Sequence, residues 1–294
     1  MRRHLLKTRR QTARTEPPAR LQTRGIIMKH AIALAIALST AATAAWADRL
    51  DDIKKAGVLR VAAFDSNPPF GFLDAKTRQI SGLDVDVAQH IAKKLGVKLS
   101  LIPTNPANRV PLLVSGKADL VAANFTVTDE RKKQVAFSLP YFASGQQFIA
   151  RKGSLQKPEQ LAGLRVGVDK GTTQEVNLRD KYPKTTVVAY DDTPLAFTAL
   201  RNGNVQAISQ DGSKLAALLA NAPDKAKFEL APFTLTREYQ AIGLPKGEAR
   251  LLKAVNDSLL ELEKSGQAAK IYNQWFGPAT KAPLPRDFKI GEAS

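Results

Sequence analysis

Short apolar segments rich in Val, Ile and Leu alternate with amphipathic segments of helical period along most of this chain. In the first half the strand-like runs are 58–63, 97–102 and 118–123, and the helix-like runs are 84–95, 107–115 and one that opens at Thr128. Apolar residues of 84–95 recur three and four positions apart, and Gly96 follows where a helix would end. This alternation predicts an α/β fold with largely parallel sheets.

A second set of the same units follows the first. Its runs, strand-like and helix-like in turn, are 164–168, 172–180, 186–190, 194–201, 205–209 and 213–219. A long helix over 248–265 and a short one ending at Trp275-Phe276-Gly277 come last. The two sets predict two lobes of about 90 to 140 residues each.

The first 47 residues have the character of a leader. Residues 1–27 carry eight Arg or Lys against one Glu, which indicates either an extended leader or a non-native segment that an upstream start codon chosen in error has added. Residues 28–47 show a basic start, an apolar run of Ala, Ile and Leu, and an A-x-A site at Ala45-Trp46-Ala47. This pattern predicts a signal peptide, cleaved near Ala47-Asp48, and export to the periplasm.

Composition excludes several kinds of site. From Asp48 onward 35 Lys and Arg face 26 Asp and Glu, a net charge of +9 against +17 for the whole chain, and the excess is scattered rather than clustered for nucleic acid. The chain has no cysteine, which excludes disulfides, thiolate catalysis and a lipid-modified Cys anchor. His90 is the only histidine after residue 47, so no histidine-rich metal site is expected, and no cofactor.

Polar residues follow the strand-like runs at the positions where open α/β sheets bind ligands. These positions are Asp65, Asn124 to Thr126, Gly171 to Thr173, and Asp211. Because the carboxyl ends of parallel strands share one edge, the sequence predicts a crevice lined by these residues.

Three features in this crevice carry charge or free hydrogen-bonding groups. Arg131 stands at the third helical position after the N-cap Thr128, where a cation is unfavourable unless an anion meets it. The helix after Gly171 presents free amide groups at its start, a seat for an anion. Asp211 supplies a carboxylate.

Each feature alone has an ordinary alternative: a solvated arginine, a capping box formed by Thr172 and Glu175, and an N-cap at Asp211. Together they match one ligand. An arginine and helix-start amides satisfy a carboxylate, and a carboxylate with threonine hydroxyls satisfies an ammonium group. The combination is complementary to the head group of a free α-amino acid.

An ordered set of segments resembles the bacterial periplasmic solute-binding proteins that supply polar amino acids to ABC importers (family 3). The segments are PPFGFLD (68–74), GLDVDVAQHIAKKLG (82–96), NRVPLLVSGKADL (108–120), FTVTDERKKQVAFSLPYF (125–142), LAGLRVGVDKGTTQE (161–175), ALRNGNVQAISQD (199–211) and IYNQWFG (271–277).

The resemblance implies a two-lobed type II periplasmic-binding-protein fold with the ligand in the cleft. The implied divisions are lobe 1 at 48–145, lobe 2 at 146–238, a return to lobe 1 at 239–278, and a C-terminal tail at 279–294. Two hinge crossings are implied, near 144–147 and 238–241. The implied partners are an L-amino acid and an inner-membrane ABC permease with its ATPase, with the chain itself a monomer.

The resemblance also implies roles for the candidate residues. Arg131 would hold the ligand carboxylate with Thr126 and Thr173, and Asp211 would hold the ammonium group. The other candidate contacts are Asp65, Phe70, Arg109, Asn124 and Thr172.

Ligand class is open at this level. Arg109 resembles the arginine that binders of acidic amino acids use for the distal carboxylate, with helix-surface packing as its alternative. Asp65 instead suits a cationic or amide side chain, or pairs with Arg109. Phe70 at a strand end suits either a pocket wall or the core.

Two further functions remain as alternatives. Some relatives on this scaffold are exported dehydratases of a cyclohexadienyl substrate, but the additional glutamate they place beyond Asp211 is missing from DGSKLAAL. A sensor that reports the ligand to a receptor is the other.

Overall fold

Two five-stranded sheets form the frame of the protein in a computed structural model that describes residues 48–292. The first sheet has the strand order β5-β1-β6-β13-β7. Strand β1 runs parallel to β5 and β6, whereas β13 is antiparallel to β6 and β7. Its strands are β1 (Val58–Phe64), β5 (Lys98–Thr104), β6 (Leu120–Val121), β7 (Val135–Ser144) and β13 (Glu238–Pro245).

The helices on the first sheet begin and end at recognisable signals. Helix α2 (Leu83–Leu95) is followed by Gly96, whose φ of 72° is the left-handed conformation that glycine adopts at low cost. A small three-stranded sheet, β2 (Ser66–Asn67), β3 (Gly71–Leu73) and β4 (Ile80–Ser81), precedes α2. The helices are α1 (Arg49–Ala56), α2 (Leu83–Leu95), α3 (Arg109–Val114), α4 (Asp129–Lys132), α8 (Ala249–Lys264) and α9 (Gln267–Phe276).

The second sheet has the strand order β10-β9-β11-β8-β12. Strand β9 is parallel to β10 and β11, and β8 is antiparallel to β11 and β12. Its strands are β8 (Gln146–Arg151), β9 (Arg165–Asp169), β10 (Thr186–Tyr190), β11 (Ala207–Asp211) and β12 (Phe228–Leu230). Its helices are α5 (Thr173–Lys181), α6 (Thr193–Arg201) and α7 (Gly212–Asn221).

The chain passes between the sheets at two adjacent places. It leaves the first sheet after Ser144, crosses at Gly145, and enters β8 at Gln146. It returns at Glu238, which pairs with Ser144 in the first sheet. A Cβ on Gly145 would lie 2.0 Å from the Thr236 carbonyl oxygen, so the close approach of the two crossings requires glycine.

Each lobe buries apolar side chains on both faces of its sheet. In lobe 1 an aromatic cluster joins β7 to α9: Phe70 lies 4.9 Å from Phe142 and 5.6 Å from Phe276, measured between ring centroids. Trp275 donates from Nε1 to Asp86 Oδ2 at 2.7 Å, which anchors the last helix to lobe 1. Within residues 48–292 no helix is long and apolar enough to span a bilayer.

Candidate ligand-binding site

A polar cavity lies where the carboxyl ends of the parallel strands of both lobes face each other. Its free space is about 10 Å³, the room that one water molecule needs. The lobes therefore touch across it. The lining residues are Phe64, Pro106, Arg109, Asn124, Thr126 and Arg131 from lobe 1, and Thr172, Thr173, Gln174, Gln210, Asp211 and Lys214 from lobe 2.

Arg131 reaches into this cavity from the short helix α4. Thr128 caps that helix by accepting from the Arg131 N–H at 3.2 Å. The guanidinium turns back to donate from Nη1 to the Thr126 carbonyl at 2.7 Å and from Nη2 to the Gly171 carbonyl at 3.1 Å. It also lies over the Phe125 ring, at 4.8 Å. The two carbonyl groups and the aromatic ring that contact the guanidinium are neutral, so its positive charge is available to an anion.

The pKa of the Arg131 guanidinium depends on its burial in this wall. Burial lowers the pKa of Arg131 to about 10, against the opposing attraction of Glu238 and Asp211. A cation that burial disfavours is stabilised by any carboxylate that enters the cavity.

Arg109 is buried, with 3% of its surface exposed, and four carbonyl oxygens occupy its donors. Nε donates to Pro106, Nη1 donates to Ala123 and Asn124, and Nη2 donates to Gly171, at 3.0 to 3.3 Å. A guanidinium has five N–H groups, so one remains. Arg109 thus braces the loop after β6 against lobe 2.

Asp211 ends β11 and is 1% exposed. It stands at the N-terminus of α7, yet its side chain makes no capping hydrogen bond there. It accepts instead from Gln174 Nε2 at 3.0 Å, inside the cavity wall. Burial, with the negative charge of Glu238 second, raises the pKa of Asp211 to about 7.

The start of α5 forms the facing wall. The Thr172 hydroxyl donates to the Asp169 carbonyl at 2.6 Å and accepts from the Glu175 N–H at 3.3 Å, so it is committed within lobe 2. Glu175 accepts from the Gly171 N–H at 2.9 Å. The next amides of the helix, at Thr173 and Gln174, have no intrahelical acceptor.

Asn124 has a backbone φ of 44°, in the left-handed region. Its N–H donates to Asp84 Oδ2 at 2.7 Å, and the Tyr141 hydroxyl donates to Asp84 Oδ1 at 2.6 Å. Burial raises the pKa of Asp84 to about 7. These bonds fix the turn that carries Thr126 to the cavity.

Comparison with known proteins decides the family. The family model described as bacterial extracellular solute-binding proteins, family 3, matches residues 59–278. The chain belongs to this family.

The similarity to individual family 3 proteins extends over most of the chain. The L-cystine-binding protein TcyJ of Escherichia coli (strain K12) is 36% identical over 231 residues, 78% of this chain and 86% of that protein. The ABC transporter glutamine-binding protein GlnH of Bacillus subtilis (strain 168) is 34% identical over 211 residues, 70% of this chain and 76% of that protein. A solved mutant of ArgBP from T. maritima has a TM-score of 0.73 and 35% identity, covering 77% of this chain and 98% of that one. The two-lobed fold predicted from the sequence is confirmed.

The structure brings seven of the nine predicted contacts of this family 3 protein to one cavity, and it places Asp65 and Phe70 elsewhere. Phe70 is fully buried in the aromatic cluster of lobe 1. Asp65 is exposed. Strand β1 ends at Phe64, whose side chain lines the cavity, and the chain bends at Asp65 before β2.

Glu238 lies behind the cavity at the second crossing and joins the two lobes. Its Oε2 accepts from the Thr126 hydroxyl of lobe 1 at 2.9 Å and from the Thr173 hydroxyl of lobe 2 at 2.7 Å. Its Oε1 accepts from the Thr236 hydroxyl at 3.0 Å. The sequence prediction placed Glu238 only at the hinge.

Lys214 is the most notable residue that sequence reasoning missed. It lies one helical turn beyond Asp211, is 3% exposed, and its Nζ is 3.5 Å from Asp169 Oδ2. Pro106, Gln174 and Gln210 were missed as well. The i, i+3 spacing of Asp211 and Lys214 is the signal that could have indicated a shared direction.

Closure of this family 3 cleft depends on the lack of a side chain at Gly171. A Cβ there would lie 2.9 Å from Ala107 Cα across the cleft, so Gly171→Ala is expected to hold the lobes apart and weaken ligand binding, measured by calorimetry. Gly203→Ala is the matched control. It has the same φ of 78° and nothing within 4 Å, so it imposes the backbone strain without the contact. Equal affinities of the two variants would contradict the closure argument.

Proposed function

We propose that this protein captures a free polar L-amino acid in the cleft and delivers it to an ABC importer, with acidic or amide side chains preferred. The observation that carries the proposal is the placement of the Arg131 guanidinium and the Asp211 carboxylate on opposite walls of one cavity, beside the free amides of α5. A guanidinium and amides complement a carboxylate, and a carboxylate complements an ammonium group. The names of the cystine- and glutamine-binding relatives support a polar amino acid as the ligand.

Binding would join two half-sites. Arg131 and Thr126 hold the ligand carboxylate from lobe 1, while Thr173 and Asp211 complete the head-group site from lobe 2. The Thr126 and Thr173 hydroxyls donate to Glu238 in the structure, so they exchange that acceptor for the ligand on binding. A ligand that contacts both lobes binds the closed form more tightly than the open form, and this difference shifts the population. The importer then recognises the closed, ligand-bound form.

Export belongs to the same proposal. Residues 28–47 act as a signal peptide cleaved near Ala47-Asp48, and residues 1–27 precede it; both lie outside the described residues. The mature protein is a periplasmic monomer with lobe 1 at 48–145 and 239–278, lobe 2 at 146–238 and a tail at 279–294, and it meets an inner-membrane permease with its ATPase.

Titration calorimetry tests the function. The chain from Asp48 onward is unfolded, freed of any co-purified ligand, refolded, and titrated with glutamate, aspartate, glutamine, asparagine, cystine, arginine, lysine, histidine and prephenate. We expect one class of L-amino acid to bind at micromolar Kd or better, about −8 kcal/mol. Absence of amino-acid binding, with prephenate bound or consumed, would support the dehydratase instead.

A further inference from the structure

Lys214 is a charged residue without an assigned role in the head-group site. Lysine is almost never fully buried unless it is paired, because its ammonium loses strong hydration. Here the side chain is 3% exposed and lines the ligand cavity. A residue held at such a cost in the wall of a binding site is a candidate for contact with the ligand.

The ion pair of Lys214 is incomplete. Its Nζ lies 3.5 Å from Asp169 Oδ2, longer than the roughly 2.7–2.9 Å of a good charge-assisted hydrogen bond. That oxygen already accepts from the Thr193 hydroxyl and from Gln210 Nε2, each at 2.7 Å. Within residues 48–292 no other carboxylate forms an ion pair with Lys214, and the Phe64 ring lies 5.3 Å away. Of its three N–H donors, the ammonium can therefore offer at least one to the cavity.

The other two cavity cations are committed. Arg109 spends four of its five donors on backbone carbonyls. Arg131 is assigned to the α-carboxylate in the proposed function. Of the three cavity cations, Lys214 is thus the one with donors available for the side chain of the ligand.

We propose that Lys214 determines specificity by donating to an oxygen-ended ligand side chain, a carboxylate or a carboxamide. This inference rests on the proposed function. An oxygen acceptor completes the donors of Lys214, whereas a cationic side chain would be repelled by Lys214 and by the guanidinium of Arg109. An apolar side chain would leave the ammonium unsatisfied.

The test separates charge from structure by changing both members of the buried pair. Lys214→Met alone leaves Asp169 unpaired, so the variant used is Lys214→Met with Asp169→Asn. The second variant is Lys214→Arg, which keeps the charge, and Lys132→Met on the exposed face of α4 is the control. Each protein is titrated with L-glutamate, L-glutamine, L-norvaline and L-arginine, and thermal unfolding verifies that each is folded.

We expect the parent to bind glutamate or glutamine at least 10-fold more tightly than norvaline and arginine. The double variant should lose roughly 10- to 100-fold for that ligand, while its affinity for norvaline equals or exceeds the parent value, because the unsatisfied ammonium is gone. Lys214→Arg should retain the preference for an oxygen-ended side chain, and Lys132→Met should change nothing.

Two results would overturn the inference and leave capture of an amino acid by the cleft standing: a parent that prefers norvaline or arginine, which would also remove the proposed preference for acidic or amide side chains, or a double variant that weakens every ligand equally. A parent that binds none of the L-amino acids would overturn the proposed function itself, and the inference with it.

Discussion

Replacing Arg131 by alanine is expected to weaken amino-acid binding roughly 10- to 100-fold or more. Its guanidinium lies in a partly buried wall where its hydrogen-bond acceptors are carbonyl groups, so a ligand carboxylate gives it a negative partner. Each charge-assisted hydrogen bond of this kind contributes about 1.5–3 kcal/mol, which corresponds to that loss of affinity. Calorimetric titration of the parent and the variant with the same amino acid measures it.

Two control variants test whether the loss is specific to the Arg131 guanidinium. Lys132→Ala removes a neighbouring charge that is mostly exposed, and it should leave the affinity unchanged. Arg131→Lys should give an intermediate loss, because lysine keeps the charge but not the planar fork of donors. An Arg131→Ala variant that binds as tightly as the parent would remove Arg131 from the site.

The second large effect is expected at Asp211. Burial raises the pKa of Asp211 to about 7 in the protein without ligand, whereas an ammonium group requires the ionised carboxylate. Affinity should therefore rise as the pH increases from about 5.5 to 8, with proton release on binding at the lower end. Asp211→Asn should weaken binding roughly 10- to 100-fold at pH 8 and flatten the pH dependence. An unchanged pH profile in that variant would contradict the assignment.

The stability of the ligand-free protein should fall with rising pH, whereas its affinity for the ligand should rise. A carboxyl group whose pKa is raised by folding binds more protons in the folded state, so the free energy of unfolding falls as the pH rises from about 4 to 7. Asp211→Asn removes this penalty. Without ligand the variant should unfold at a higher temperature than the parent at pH 8 and at a similar temperature near pH 4. A variant less stable than the parent at pH 8 would show that Asp211 is structural.

Local patterns were enough to locate the cleft. Arg131 and Thr173 stand at the starts of helices that follow strands, and the position of such residues at a sheet edge follows from parallel topology alone. The strand that the sequence predicts at 118–123 is only Leu120–Val121 in the structure, because the chain turns at Asn124 toward the cavity. The small sheet of β2, β3 and β4 carries no periodic signal long enough to be read.

Other features depend on distant segments, which a local pattern does not contain. The acceptors of Arg109 come from residues up to 62 positions away in the chain, so its role as a brace was invisible in PANRVPLL. Lys214 in DGSKLAAL has the appearance of a solvated helix residue until Asp169 and Phe64 are packed over it. Asp65 was expected in the cleft because it follows a strand, but the chain bends at Asp65 and the side chain that lines the cavity is that of Phe64.

Titration with three matched compounds tests most directly whether the cleft recognises both charges of an amino-acid head group. The compounds are L-glutamate, glutaric acid, which lacks the ammonium group, and 4-aminobutyric acid, which lacks the α-carboxylate; if another amino acid binds best, its own two analogues replace them. We expect the complete amino acid to bind and each analogue to bind at least about 10-fold more weakly, since each leaves Asp211 or Arg131 without its partner. An analogue that binds as tightly as the amino acid would contradict the account.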